Sequence, residues 1–155
     1  MYRYDTVAFY RNGSVQEARL GKKPQARKVA LVKFAYTRLI TGDVPSLASF
    51  YENILGVARR GDDDYVELHP GGAILAIVSS KAASFMHGGE WPAGDNKSAI
   101  LEFEVDDVDA ERTRIDPFVT DWLQQPKDMP WGNRSMLFRD PDSNPINFFR
   151  PIEKR

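Results

Sequence analysis

The feature that most narrows the fold is a repeat. Asp43 and Asp107 stand 64 residues apart, each after a strand-like apolar stretch and before a helical one. At that offset Leu39 aligns with Phe103, Thr41 with Val105 and Val44 with Val108. A spacing this long marks a duplicated supersecondary unit rather than a short-period solenoid. Asp43 is a natural N-cap. Val44, Leu47, Ala48, Phe50, Tyr51, Ile54 and Leu55 then recur at helical spacing. Pro45 lies in the first turn, where its missing N–H is harmless, and Gly56 is a good stop. These signals predict an amphipathic helix over 44–55. Short strands are expected at 57–60, 65–69 and 73–78, broken by Gly61-Asp-Asp-Asp64 and Pro70-Gly-Gly72. With a strand candidate at 29–40, the first unit is β-α-β-β-β.

Residues 79–97, with Gly88-Gly89, Trp91-Pro92 and Gly94-Asp95, read as a loop. Ser98–Val105 alternates as a strand, Asp107 caps a helix over 108–115, and 118–124 is the next strand. The stretch Asp128–Phe149 closes the chain as a hairpin. Met136–Arg139 and Ile146–Phe149 are its strands, and Asp140-Pro-Asp-Ser-Asn-Pro145 is its turn. There Asp and Asn bond their own backbone and Pro fixes φ. The order is again β-α-β-β-β. Residues 1–33 read as a separate extension. Thr6–Arg11 and Ser14–Leu20 suit a hairpin about Asn12-Gly13, whose residues tolerate the positive φ of a two-residue turn. Val7, Phe9 and Ala18 would share one face, too small to stand alone. Gly21–Lys28 follows as a basic linker. The extension is either a poorly ordered tail or an arm that adds to a sheet edge.

Several of these stretches resemble one family. Leu39–Gly56, with its Phe50-Tyr51 helix ending in Leu55-Gly56, Phe103–Ala110, Trp131-Gly132, Arg134 and the Asp140-Pro-Asp-Ser-Asn144 turn follow one another as in the glyoxalase/bleomycin resistance protein/dioxygenase group, the vicinal oxygen chelate superfamily. Ser143 stands where that group usually has Gly. The resemblance covers residues 33–151. It implies an α+β fold of two paired β-α-β-β-β modules, a curled mixed sheet around a cleft with the helices outside. Residues 34–151 would form that domain, with module one over 34–80, a loop over 81–97 and module two over 98–151.

Enzymes of that superfamily usually hold a divalent metal through His, Glu or Gln on the first and last strand of each module. Carried over, those positions are Tyr36, Ala76, Ile100 and Asn147, the last where a Glu is expected. Ala76 and Ile100 cannot ligate, and an Asn amide is a weak ligand for zinc or iron. No metal and no other cofactor is therefore expected. Elsewhere, Glu67 and His69 share one strand face, and Glu102 and Glu104 another. Glu102 and Glu104 face the cleft or solvent, where they could recognise a cationic ligand; their plainer reading is a solvated surface or pairing with Arg38 or Arg134, and that of His69 is a turn residue. His87 lies in the glycine-rich stretch, where it could cover the cleft. The chain has no Cys, which excludes disulfides, thiolate metal sites and Cys nucleophiles. No phosphate loop or nucleophile elbow is present, and Asp62–Asp64 reads as a solvated turn.

What remains is a pocket. Strand alternation offers Tyr36, Arg38, Asn147 and Phe149 as lining, and the loops offer Trp91 and Trp131. Large rings with a few polar groups suit a flat, partly apolar small molecule, although either Trp would also serve as packing under a loop. The resemblance implies that metal-free members bind or sequester compounds without chemistry, as dimers whose clefts are shared. The preferred expectation is therefore a metal-free small-molecule-binding protein. The alternatives are a metal-dependent lyase or dioxygenase using Glu67, His69 or Glu102, and a protein-interaction module. A formal net charge of -1 gives no reason to expect nucleic acid or an anionic membrane as partner. There is no long apolar run and no leader-like start, so a cytoplasmic protein is expected, and the resemblance together with the open sheet edges implies a homodimer.

Overall fold

The computed structural model describes residues 6–11, 14–19, 33–94 and 98–152. β1 (Thr6–Arg11) and β2 (Ser14–Arg19) pair antiparallel, with Val7 opposite Ala18. Asn12-Gly13 and the basic linker at 21–28 lie outside the described residues. The first unit runs β3 (Tyr36–Thr41), α1 (Val44–Leu55), β4 (Arg60–Gly61), β5 (Tyr65–Leu68) and β6 (Ile74–Ser79). After α2 (Ser80–His87) the second unit runs β7 (Leu101–Glu104), α3 (Val108–Ile115), a 3-10 turn Asp116–Phe118, β8 (Trp122–Asp128), β9 (Asn133–Arg139) and β10 (Pro145–Pro151).

The duplication is visible in the sheets. Sheet one has the order β3-β6-β5-β4 and sheet two the order β7-β10-β9-β8, so both place the first strand beside the last. In each sheet that pair is parallel and the other pairs are antiparallel. A parallel pair needs a long crossover, and here the whole unit between first and last strand supplies it. Both caps form. Asp43 accepts from Ser46 N at 3.0 Å, and Asp107 accepts from Asp109 N and Ala110 N at 3.0 and 3.1 Å. Gly56 ends α1 at φ 66°, a left-handed conformation that suits glycine. This is the α+β, paired-module architecture that the resemblance implied, built on the two β-α-β-β-β units of the repeat.

Some boundaries differ. The stretch 79–97 is not all loop, because Ser79 caps α2 by accepting from Ala82 N at 3.0 Å. The glycines that suggested a loop begin at Gly88, where α2 stops. β8 starts at Trp122 rather than 118, since Asp116-Pro117-Phe118 takes a 3-10 turn. β7 and β4 are shorter than the alternation at 98–105 and 57–60 suggested.

The helix-bearing faces of both sheets meet in one core. Leu39, Val66, Leu68, Leu75 and Ile77 of sheet one and Met136, Phe138, Ile146 and Phe148 of sheet two join α1 and α3 in a single buried cluster. Polar bonds cross the same seam. Tyr51, fully buried on α1, donates its hydroxyl to Asp140 Oδ2 at 2.8 Å, in the turn between β9 and β10. Asn144 Nδ2 at 2.7 Å, Asn144 N at 2.8 Å and Asp142 N at 3.0 Å also donate to that carboxylate. Burial pushes the Asp140 carboxyl above its ordinary value, and these donors pull the other way. Arg114 at the end of α3 donates to Asn53 O and Ile54 O at 2.8 and 2.6 Å, closing the carbonyl end of α1. Each sheet thus gives one face to the common core. Replacing Tyr51 by Phe removes a donor from a buried carboxylate. It should lower unfolding free energy by about 1–3 kcal/mol, read as a lower urea midpoint at unchanged m-value.

Candidate functional site

Alternation along β3 sends Leu39 and Thr41 to the core and Tyr36, Arg38 and Ile40 to the opposite face. Register fixes their neighbours. Arg38 stands beside Ala76 on β6, and Ala76 beside Glu67 on β5. Ala76 offers only a methyl, which leaves the Arg38 side chain room to reach across it. Its guanidinium carbon lies 5.6 Å from the centre of the Tyr65 ring. Glu67 accepts from Tyr65 OH at 2.8 Å, contacts His69 Nε2 at 3.1 Å, and is also bonded by Tyr36. The Tyr65 hydroxyl, more than His69 or Tyr36, holds the Glu67 carboxyl below the usual carboxylate range.

α2 folds back against this face. It contacts β3 and β6 and buries Ala83, and Ala76 and Val78 are fully covered although they lie away from α1. At the end of α2, His87 Nε2 is 2.9 Å from Arg38 Nη1. The Trp91 ring centre is 5.7 Å from that of His87, and Trp91 Nε1 donates to Gly88 O at 2.8 Å. Trp91 is 41% exposed and lies outside the core. Tyr36, Arg38 and Trp91 therefore belong to one neighbourhood, to which the structure adds Tyr65, Glu67, His69 and His87.

Asn147 and Phe149 lie elsewhere, on the open face of sheet two, opposite Glu102 and Glu104 of β7. Asn147 Nδ2 donates to Glu102 Oε1 at 2.9 Å, and Asn147 Oδ1 is buried with no partner among the described residues. Trp131, 38% exposed, sits in the turn between β8 and β9. Among the described residues, no hydrogen bond or ring contact joins Tyr36, Arg38 or Trp91 to Asn147 or Phe149. The predicted lining thus falls on two faces rather than one. Between the units runs an open cleft of about 520 Å³, lined by Phe34, Ile74, Ile100, Glu102 and Glu104 among others. The pairing proposed for the arginines also differs. Arg134 holds Asp109 and Asp128 on the helix side, and Arg38 holds His87.

Tyr36, Ala76, Ile100 and Asn147 do not make a metal donor set. Ala76 is a buried methyl, Ile100 is aliphatic, Tyr36 is engaged with Glu67, and Asn147 with Glu102. Among the described residues, no group of three or more His, Cys, Asp or Glu is placed to hold a metal ion. No described helix is long and apolar enough to cross a membrane.

Comparison with known proteins follows the geometry. The family model for the Glyoxalase/Bleomycin resistance protein/Dioxygenase superfamily matches residues 33–148. No curated protein matches the sequence. Solved structures share the fold. A glyoxalase/bleomycin resistance protein/dioxygenase from Nocardioides is 20% identical, with a TM-score of 0.67 over 83% of this chain and 89% of that one. A glyoxalase-related enzyme from Fulvimarina pelagi is 20% identical, with a TM-score of 0.68 over 77% and 88%. TioX from Micromonospora sp. ML1 is 22% identical, with a TM-score of 0.60 over 78% and 100%.

The Glu67 cluster has a pH signature. Its carboxyl is held below the ordinary range in the folded chain. Its contribution to stability is therefore full above the unfolded carboxylate pKa of about 4.3 and is lost as pH falls through the lower folded value. Replacing Glu67 by Gln should flatten the acid limb of a stability-against-pH curve and leave the neutral limb's slope unchanged.

Proposed function

Because the chain belongs to the Glyoxalase/Bleomycin resistance protein/Dioxygenase superfamily, we propose that it is a small-molecule-binding member that works without a metal. One observation carries this reading. The positions that would ligate a metal hold Tyr36, Ala76, Ile100 and Asn147, while the same strand faces hold rings, a guanidinium and an amide. Such a face recognises shape and polarity and has no Lewis acid to polarise a substrate. The occupant is a planar, partly aromatic compound whose polar group meets Arg38 or Asn147, with Trp91 and Trp131 as walls.

The working unit is a cytoplasmic homodimer. β3 and β7 each have one ladder edge with no strand against it among the described residues. Tyr36, Ile100 and Phe34, which lie on or beside these strands, are 43%, 53% and 73% exposed. A second copy related by a two-fold axis would cover both edges at once and would give each open sheet face an opposite wall.

Two measurements test this. Elemental analysis of purified protein should find no stoichiometric divalent metal, and chelator should leave the melting temperature unchanged. A tightly held metal, one per chain, would restore the lyase or dioxygenase class. A thermal-shift screen of planar aromatic compounds should find binders, with about 2.7 kcal/mol of added stability at a hundred times the dissociation constant. A broad screen with no shift would remove the main support for binding.

A further inference from the structure

We propose that Arg38 is the anchor for a carboxylate on the ligand, and that His87 holds the guanidinium's place until that carboxylate arrives. The inference rests on the small-molecule-binding reading and names the chemical class that the sheet-one face selects: an aromatic monocarboxylate.

The first observation is who Arg38 binds. Arg59, Arg112, Arg114, Arg134 and Arg139 each hold a carboxylate, Glu52, Asp116, Glu111, Asp109 and Asp121 respectively. Arg38 holds none among the described residues, and neither do the exposed Arg60 and Arg150, but of these three only Arg38 is held by side chains of other strands and helices. Its partners are the His87 imidazole and the Tyr65 phenol. The nearby carboxylate, Glu67, is already committed to Tyr65, His69 and Tyr36. The guanidinium is therefore positioned on an open face with its charge uncompensated by direct contact.

The second observation is the chemistry of the His87 bond. A guanidinium only donates, so Nε2 of His87 must accept, and the imidazole in this bond is neutral. A neutral acceptor is weaker than a carboxylate for the same donor, and a carboxylate can take two parallel bonds from the guanidinium fork. A bound carboxylate therefore displaces His87. The imidazole has somewhere to go, because it ends α2 and is followed by Gly88 and Gly89 at φ 70° and 76°. Trp91, 5.7 Å from the His87 ring, feels the exchange. The Tyr36 ring, 43% exposed on the same strand face as Arg38, supplies an aromatic surface beside the anchor. The fixed charge of Glu67 disfavours a dianion such as a phosphate monoester.

The test uses the full chain with 2-naphthoate and its neutral isostere 2-naphthamide, titrated by tryptophan fluorescence. The acid should bind roughly tenfold tighter than the amide, the scale on which charge-assisted bonds exceed neutral ones. Arg38→Gln should erase that difference without lowering the melting temperature, and Arg38→Lys should restore only part of it, because a point charge lacks the fork. His87→Ala should tighten the acid and leave the amide unchanged, since the competitor for Arg38 is gone. Equal affinity of acid and amide overturns the proposal but leaves small-molecule binding standing. So does weaker acid binding in His87→Ala, which would make the imidazole a ligand contact. If neither naphthalene binds while other neutral aromatics do, only this proposal falls. If no aromatic compound binds at all, the underlying reading falls with it.

Discussion

Asp140 sits in a surface turn by sequence and in the core by structure, and much of the molecule follows from that displacement. An ionised carboxyl can lie there only if it is fully hydrogen-bonded. Two of its donors come from its own turn's backbone and one from the Asn144 side chain, which fixes the turn. The remaining donor is Tyr51, on the helix of the other module. The same bonds that satisfy the charge therefore join the two units. Arg114 repeats the principle in reverse, reaching from module two to close carbonyls at the end of α1. With both helix faces committed to this seam, the polar side chains of the sheets are left to the faces turned away from it.

On those faces the pleat decides the chemistry. A strand that must bury Val66 and Leu68 on one side is free to place Tyr65 and Glu67 on the other, and the edge strand that buries Leu39 presents Tyr36 and Arg38. A small residue on the strand between them lets their side chains communicate. Ala76 has this role, and a larger side chain there would separate the guanidinium from the Tyr65 ring. This small position is the gap through which polar groups reach one another.

Much of the architecture was legible in the sequence because it is written in local signals. The two Asp caps, the helical periodicity from Val44 to Leu55, the Asp-Pro-Asp-Ser-Asn turn and the 64-residue offset each reflect contacts within a few residues or within one repeated pattern. The helix α2 was hidden because its only strong signal, Ser79, follows a β-rich run, and the conspicuous glycines lie just beyond its end. The site was legible in parts. Alternation offered Tyr36, Arg38, Asn147 and Phe149 as lining of one pocket, but it carries no register between strands, and the two pairs lie on different sheets. That Glu67 faces Arg38 across Ala76, and that His87 returns to meet them, are facts of pairing separated by many residues. The pattern Tyr65-x-Glu67-x-His69 was a usable hint of a polar strand face, and only the sheet shows what it faces.

The Tyr51–Asp140 bond also distinguishes the two halves of a chain that otherwise repeats itself. At the repeat's own offset Tyr51 corresponds to Ile115, a fully buried aliphatic residue. The turn in module one that parallels Asp140-Pro-Asp-Ser-Asn is His69-Pro-Gly-Gly, which carries no carboxylate. The reciprocal bond cannot form. A duplicated ancestor with two equal halves could have tolerated exchange of one half for the other. In this chain the halves have become donor and acceptor, so two copies of either half would lack one partner of the bond.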